Sequence, residues 1–311
     1  MKNVILDCDP GVDDALAILL ALNSDNVGIE GITTVHGNTT LDQTTKNALR
    51  VLDYFGRLDI PVAAGASNPL LCEVHNAENV HGKDGLGDVS NIVPYSTRRE
   101  IETPAHQYII DRVSSGAVKT IVATGALTNI ALAFDNNPEV MNTLDELVIM
   151  GGAFRHPGNV SPVAEANFYA DPEAADYVLA QDVKKIIIPL DVTHQVILTP
   201  ELVKSIPDNR SGIFVKSIVK RYQNFYMNVW ALKGNPLHDP SAIGYVINPD
   251  FLALEQFQAN VETLGKHTRG MMIVEQRAGL AGINAKPNAY IATAVKAKEF
   301  MDYFISSVSK A

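Results

Sequence analysis

Short runs of apolar, β-branched residues alternate along this chain with longer amphipathic stretches, and that alternation restricts the possible folds more than any other feature. The runs are Asn3 to Leu6, Ile29 to Val35, Ile60 to Ala63, Thr120 to Ala123, Glu146 to Met150 and Lys185 to Leu190. They lack the apolar–polar alternation of a half-exposed strand, so each is expected to be covered on both faces, as in a parallel sheet. Helical patterns lie between them at about Asp13 to Leu22, Leu41 to Phe55, Pro104 to Ser115, Asn129 to Asp135 and Pro172 to Ala180. The βαβα order predicts an α/β fold, with a mostly parallel central sheet flanked by helices. Beyond it the pattern predicts a helix from Ser211 to Tyr226, strands at Met271 to Val274 and Ala289 to Val295, and a last helix from about Lys298 to Val308. No repeat or composition break divides the 311 residues, so one domain spanning 1–311 is expected.

The bulk properties narrow the function classes. Hydrophobic residues make up 46% and charged residues 19%, a profile that supports a large core. A net charge of −10, from 25 basic and 35 acidic residues, repels polyanions, so nucleic acid is not an expected partner. Cys8 and Cys72 are too few for a disulfide framework and are expected to be buried reduced thiols. The apolar stretch Val4 to Leu6 is too short for a signal-peptide core, and no segment reaches the run of about 18 apolar residues that a membrane span needs. A cytoplasmic protein without a membrane partner is the expectation.

In open α/β sheets ligands bind at the carboxyl ends of the strands. There the chain carries Asp7-Cys8-Asp9-Pro10-Gly11-Val12-Asp13-Asp14. Four carboxylates crowded at a strand end raise one another's pKa unless a cation lies between them. Oxygen-only ligands indicate a hard cation, calcium or magnesium. Pro10-Gly11 supplies a sharp turn that lets Asp9 and Asp14 converge, and Asp13 could serve as a helix cap. An EF-hand is excluded by spacing: starting from Asp7 or Asp9, the position that needs a bidentate Glu falls on Ile18 or Leu20.

The octet resembles the DxDPGxDD signature of the inosine-uridine preferring nucleoside hydrolase family. The likeness continues, in the family's order and over nearly the whole chain, through Ile32-Thr33-Thr34-Val35-His36-Gly37-Asn38, Thr124-Gly125-Ala126-Leu127-Thr128-Asn129, Met150-Gly151-Gly152, Ala164-Glu165-Ala166-Asn167, Asp171-Pro172-Glu173-Ala174-Ala175 and His238-Asp239-Pro240. Each block alone is a weak signal; together they are specific. The resemblance implies a Rossmann-like nucleoside hydrolase fold and calcium-dependent hydrolysis of ribonucleosides to ribose and free base. It implies one calcium per subunit, held by Asp9, Asp14, Asp239 and the Thr124 carbonyl, with Asp9 also accepting the proton of the attacking water. Asp13, Asn38, Asn159, Glu165 and Asn167 are implied to hold the ribose hydroxyls, His238 to lie beside the leaving base, and His81 to match a loop near that base. A homotetramer or homodimer is implied as well.

Chemistry agrees with those roles. Recognising three ribose hydroxyls takes buried donors and acceptors such as Asp, Glu and Asn. Departure of the base leaves an oxocarbenium-like centre that carboxylates stabilise. The base leaves poorly as an anion, so a proton donor is needed, and the ordinary histidine pKa of about 6.5 suits His238.

On the residues alone, other roles stay open. Asn38 after Gly37 also fits a left-handed turn, Glu165 a surface acid, His238 a structural histidine and His81 a mobile surface turn. Tyr226 and Trp230 fit core packing as well as base stacking. Asp7 is expected to support the site from behind, while His36, His75, His106, His156, His194 and His267 show no ligand spacing. Two departures from the family pattern bear on base preference: Ala166 stands where many members carry Phe, and the stretch 228–237 contains Trp230 and Pro236. A magnesium-dependent phosphatase of the haloacid dehalogenase type shares Asp7-x-Asp9, but Gly11 occupies its next motif position. A ribose-binding protein without catalysis is the third alternative.

Overall fold

A computed structural model describes residues 1–310 except Ala278 and Ala281; Ala311, the last residue of the predicted domain, lies outside the described residues with them. The expected runs form strands β1 (Lys2–Cys8), β2 (Val27–Thr34), β3 (Val62–Ala64), β4 (Thr120–Ala123), β5 (Glu146–Met150) and β6 (Lys185–Ile188). With β7 (Leu252–Phe257) and β8 (Ala289–Val295) they make one sheet in the order β3-β2-β1-β4-β5-β6-β8-β7. Every pairing is parallel except the last, in which β7 runs antiparallel along β8 at the edge.

Burial explains why the strand runs are continuously apolar. Along β1, Val4, Leu6 and Cys8 enter one hydrophobic cluster, and Ile5 enters another on the opposite face. The same division separates Val148 and Met150 from Leu147 and Ile149 in β5, and Ile186 and Ile188 from Ile187 in β6. A strand whose alternate residues meet two different cores has no solvent face to keep polar. One core holds helix α1 (Val12–Leu22), helix α2 (Leu41–Tyr54) and the apolar side of the helix Arg210–Val229. The other holds the helices Ala105–Ser114, Thr128–Asn136 and Pro172–Leu179.

One expectation is corrected, and two elements carry no sequence signal. Leu190 starts a short helix, Leu190–Thr193, and does not end β6. The helix His238–Ile247 was not foreseen, because it is buried all round and carries no polar face to mark a helical period. Strand β7 was also missed: its burial does not alternate cleanly, and Glu255 and Gln256 lie on an open edge.

Candidate active site

The site lies at the carboxyl ends of the central strands, beginning where β1 stops. Asp7 is still inside β1, where its Oδ1 accepts hydrogen bonds from Thr33 Oγ1 (2.6 Å) and Asn129 Nδ2 (2.8 Å). That carboxylate ties β1 to β2 and to the helix Thr128–Asn136 from below. The chain then turns through Asp9-Pro10-Gly11 into α1. Gly11 N–H donates to Asp14 Oδ2 at 3.0 Å, so Asp14, and not Asp13, satisfies the helix start. A Cβ on Gly11 would stand 2.5 Å from His81 Nδ1 and 2.6 Å from Asn38 Nδ2, since three segments converge on this turn.

Asn38 is not in the left-handed region; the neighbouring Gly37 takes the positive φ. Its backbone N–H donates to Asp9 Oδ2 (2.6 Å), and its side-chain amide donates to Asp9 O (3.1 Å) and Asp14 Oδ2 (3.0 Å). Asn38 thereby clamps the octet into its turn.

Carboxylate oxygens of Asp13, Asp14 and Asp239 lie within 4.8 Å of one another. This tightest grouping differs from the expected ligand set, because it includes Asp13 and leaves out Asp9. Asp239 arrives from the first turn of the helix His238–Ile247, so the cluster joins chain segments far apart in sequence. Thr124 Oγ1 donates to Asp14 Oδ1 at 2.9 Å, and the Thr124 carbonyl accepts from Asn167 Nδ2 at 2.8 Å. Burial pushes Asp13 and Asp14 up to about 6. Burial, with repulsion from neighbouring carboxylates, holds Asp9 and Asp239 well above the usual range. Asp9 Oδ1 and Asp13 Oδ1 are buried and accept no hydrogen bond among the described residues. Crowded, unsatisfied and all-oxygen, these groups fit a hard divalent cation.

Above the cluster, Glu165 is buried and not a surface acid. Its carboxylate accepts from the N–H groups of Asn167 (2.8 Å), Phe168 (3.1 Å) and Gly152 (2.9 Å), while burial still pushes it up to about 7. Asn159 Oδ1 accepts from Ala166 N–H at 2.9 Å. His81 is also buried, on the four-residue helix Glu78–His81, so it does not sit on a surface turn. Its Nδ1 accepts from Val12 N–H at 3.1 Å, and burial lowers it to about 4. The 3.8 Å approach to Asp13 Oδ1 is thus a neutral ring beside a carboxylate rather than an ion pair. Every expected site residue except Asp9 and Asp14 lines one narrow cavity of about 50 Å³, with Met150, Ala166, Tyr222 and Tyr226. A larger groove of about 970 Å³ elsewhere is lined by the basic residues Lys46, Arg98 and Arg99 and by two acids, Asp42 and Glu100, both exposed and so not gathered into a buried cluster. Chemistry, not size, distinguishes the small cavity.

The cavity's other end is aromatic. Tyr222 OH donates to Asp13 Oδ2 (2.9 Å), and Tyr226 OH is 2.9 Å from His238 Nε2, whose Nδ1 is 2.8 Å from Thr193 Oγ1. Burial holds His238 well below its ordinary value, so the ring is neutral. Tyr226, read from sequence as core or stacking residue, is both buried and on the cavity wall. Tyr222, His156 and His194 were missed. The His194 ring lies 4.4 Å from His156, 5.2 Å from His238 and 5.5 Å from Trp230. No sequence spacing connects these groups; for Tyr222, its four-residue offset from Tyr226 was the available signal.

Comparison with known proteins agrees with this architecture. A model of the family described as inosine-uridine preferring nucleoside hydrolase matches residues 4–302. The chain is 40% identical over 280 residues to the inosine-uridine preferring nucleoside hydrolase of Leishmania major, covering 89% of this chain and 88% of that one. It is 39% identical over 310 residues to the pyrimidine-specific ribonucleoside hydrolase RihA of Shewanella woodyi, covering 99% and 98%. Among solved structures, a purine-preferring ribonucleoside hydrolase from Gardnerella vaginalis superposes with a TM-score of 0.91 at 32% identity, covering 99% of this chain and 98% of that one. The fold, the strand-end site and these similarities agree, and the chain belongs to the inosine-uridine preferring nucleoside hydrolase family.

Proposed function

We propose that this protein hydrolyses the N-glycosidic bond of ribonucleosides, releasing ribose and free base, with calcium as its cation. The observation that carries this reading is the meeting, at one cavity, of a buried all-oxygen acidic cluster with buried amide and carboxylate side chains suited to hydroxyl groups and a histidine–tyrosine pair. Asp9, Asp14, Asp239 and the Thr124 carbonyl would hold the cation, with Asp13 near enough to share it. When bound, the cation supplies Lewis acidity that makes water a usable nucleophile at neutral pH.

The protein's own groups do the rest. Asp13, Asn38, Asn159, Glu165 and Asn167 bind the ribose hydroxyls and turn the anomeric carbon toward Asp9. As the water oxygen bonds to that carbon, Asp9 takes its proton and the bond to the base nitrogen breaks. The carboxylates stabilise the positive charge on the sugar. The base receives a proton from the His238–Tyr226 pair, in which a neutral imidazole and a phenol share one hydrogen bond and can pass a proton between them. His81 lines the same cavity on the Asp13 side.

Ribose release from inosine and uridine, with and without chelator, followed by restoration with calcium, magnesium or manganese, tests the reading. No turnover on any ribonucleoside would sink it, and phosphate release from a monoester would favour the phosphatase. We further take the protein to be a cytoplasmic homotetramer or homodimer, for which light scattering and fractionation are the tests. Among the described residues, no helix is long and apolar enough to cross a membrane.

A further inference from the structure

His81 reaches the site on an irregular connection. Between β3 and the helix Ala105–Ser114, residues 65–104 contain only the short helix Glu78–His81 and a single bridge at Ile101. So long a stretch without a hydrogen-bonded ladder needs other means of holding one conformation. The means here is polar and buried. Arg50, in the middle of α2, is fully buried. Its guanidinium donates to Asp84 Oδ2 (3.1 Å), to Asn47 Oδ1 (2.9 Å) and twice to the Val93 carbonyl (3.1 and 2.7 Å). One cation thus grips the connection at two points, 84 and 93.

Asn47, one turn earlier on α2 and also fully buried, completes the link. Its Nδ2 donates both to Asp84 O (2.8 Å) and to Pro10 O (2.9 Å), the turn of the acidic octet. From the loop side, Gly87 N–H donates to His81 O at 2.7 Å, and His81 Nδ1 returns to the octet through Val12 N–H at 3.1 Å. The path from Arg50 through Asp84 to the His81 loop therefore closes on the same turn that carries the carboxylates.

Burying a guanidinium is costly in desolvation unless its donors are matched, and a hydrophobic side chain would fill the space in α2 as well. What the guanidinium adds is direction, because its planar fork presents donors at separate, fixed positions, whereas a lysine ammonium offers its three from a single nitrogen. We propose that Arg50 is a positioning residue for the hydrolysis: acting through Asp84, it sets where His81 stands relative to Asp13 and the octet turn. This inference rests on the placement of His81 in the nucleoside site described above.

The test is a double-mutant cycle on the calcium-loaded full chain, with inosine and uridine as substrates. Arg50→Lys is expected to lower kcat/KM by about 10- to 100-fold, the scale of a misplaced site group, and to move KM and kcat unequally. In a His81→Ala background the same substitution is expected to change kcat/KM less than about twofold, since the group it positions is already gone. Asp84→Asn breaks the same link from the loop side and runs the same cycle if Arg50→Lys does not fold. Losses that multiply in the double variant would overturn the inference and leave the hydrolase reading intact, as would an Arg50→Lys enzyme with unchanged constants. No ribose release by the unsubstituted protein would overturn both.

Discussion

Burial favours the neutral form at both ends of the active-site cavity, but the two ends answer that pressure differently. At the acidic end, burial drives Asp9, Asp13, Asp14 and Asp239 toward their neutral forms, so their charge has to be restored by something positive. At the aromatic end, burial drives His194 and His238 toward their neutral forms as well, but a neutral ring needs no counter-ion. The same physical cause therefore makes one end dependent on a cation and lets the other work without a fixed charge. The acidic end is also built on a strand end and two helix starts, whereas the aromatic end draws on the helix Arg210–Val229 and the segments around His156 and His194.

If the comparison holds, removing the cation is the most damaging change. Chelation is expected to abolish ribose release and to make stability depend on pH. In the folded, cation-free protein Asp13 and Asp14 titrate at about 6, against 3.8 ordinarily. A raised folded-state pKa contributes stability that is complete below the lower value and disappears as pH rises through the upper one, so the chelated protein should melt progressively earlier from about pH 4 to about pH 7. Thermal melts in buffers across that range would show it, and added calcium should flatten the trend. A chelated protein that melts later as pH rises would contradict the burial argument.

Next in size is Asp9→Asn, expected to lower kcat by about 10³- to 10⁴-fold through loss of the proton acceptor. Steady-state turnover alongside calcorimetric cation titration separates that loss from weakened metal binding, and near-normal turnover would remove Asp9 as base. At the aromatic end, His238→Ala should cost about 10²-fold or more on inosine and much less on p-nitrophenyl riboside, whose leaving group departs as an anion. Equal losses on the two substrates would place the role of His238 elsewhere. The smallest effect belongs to Trp230, the chain's single tryptophan, half-buried beside His194. Trp230→Phe is expected to shift KM by no more than about threefold, because an aromatic face is kept. In the unsubstituted enzyme, adding free base should change tryptophan emission while ribose alone does not; identical responses would detach Trp230 from the base end.

The acidic end was largely legible in sequence because its chemistry is concentrated: Asp9, Asp13 and Asp14 sit within one short turn, and Pro10-Gly11 announces the bend. The aromatic end was legible only in part: His238, Tyr226 and Trp230 stand out in the sequence, but Tyr222, His156 and His194 are common core or surface residues until folding gathers them around these groups. Asp239 needed the family resemblance for the same reason, as its helix shows no amphipathic period.

The sequence by itself determined the layered α/β architecture, through apolar runs that only a sheet covered on both faces can bury, and it marked the strand end where chemistry gathers. Tertiary structure decided how the octet's duties are divided: Asp14 takes the helix start, Asp13 is drawn to Tyr222 and Asp239, and Asp7 holds the sheet from beneath. Local sequence sets which backbone turns are possible, but a carboxylate's partner and charge depend on groups that arrive from distant segments, and only packing brings those together.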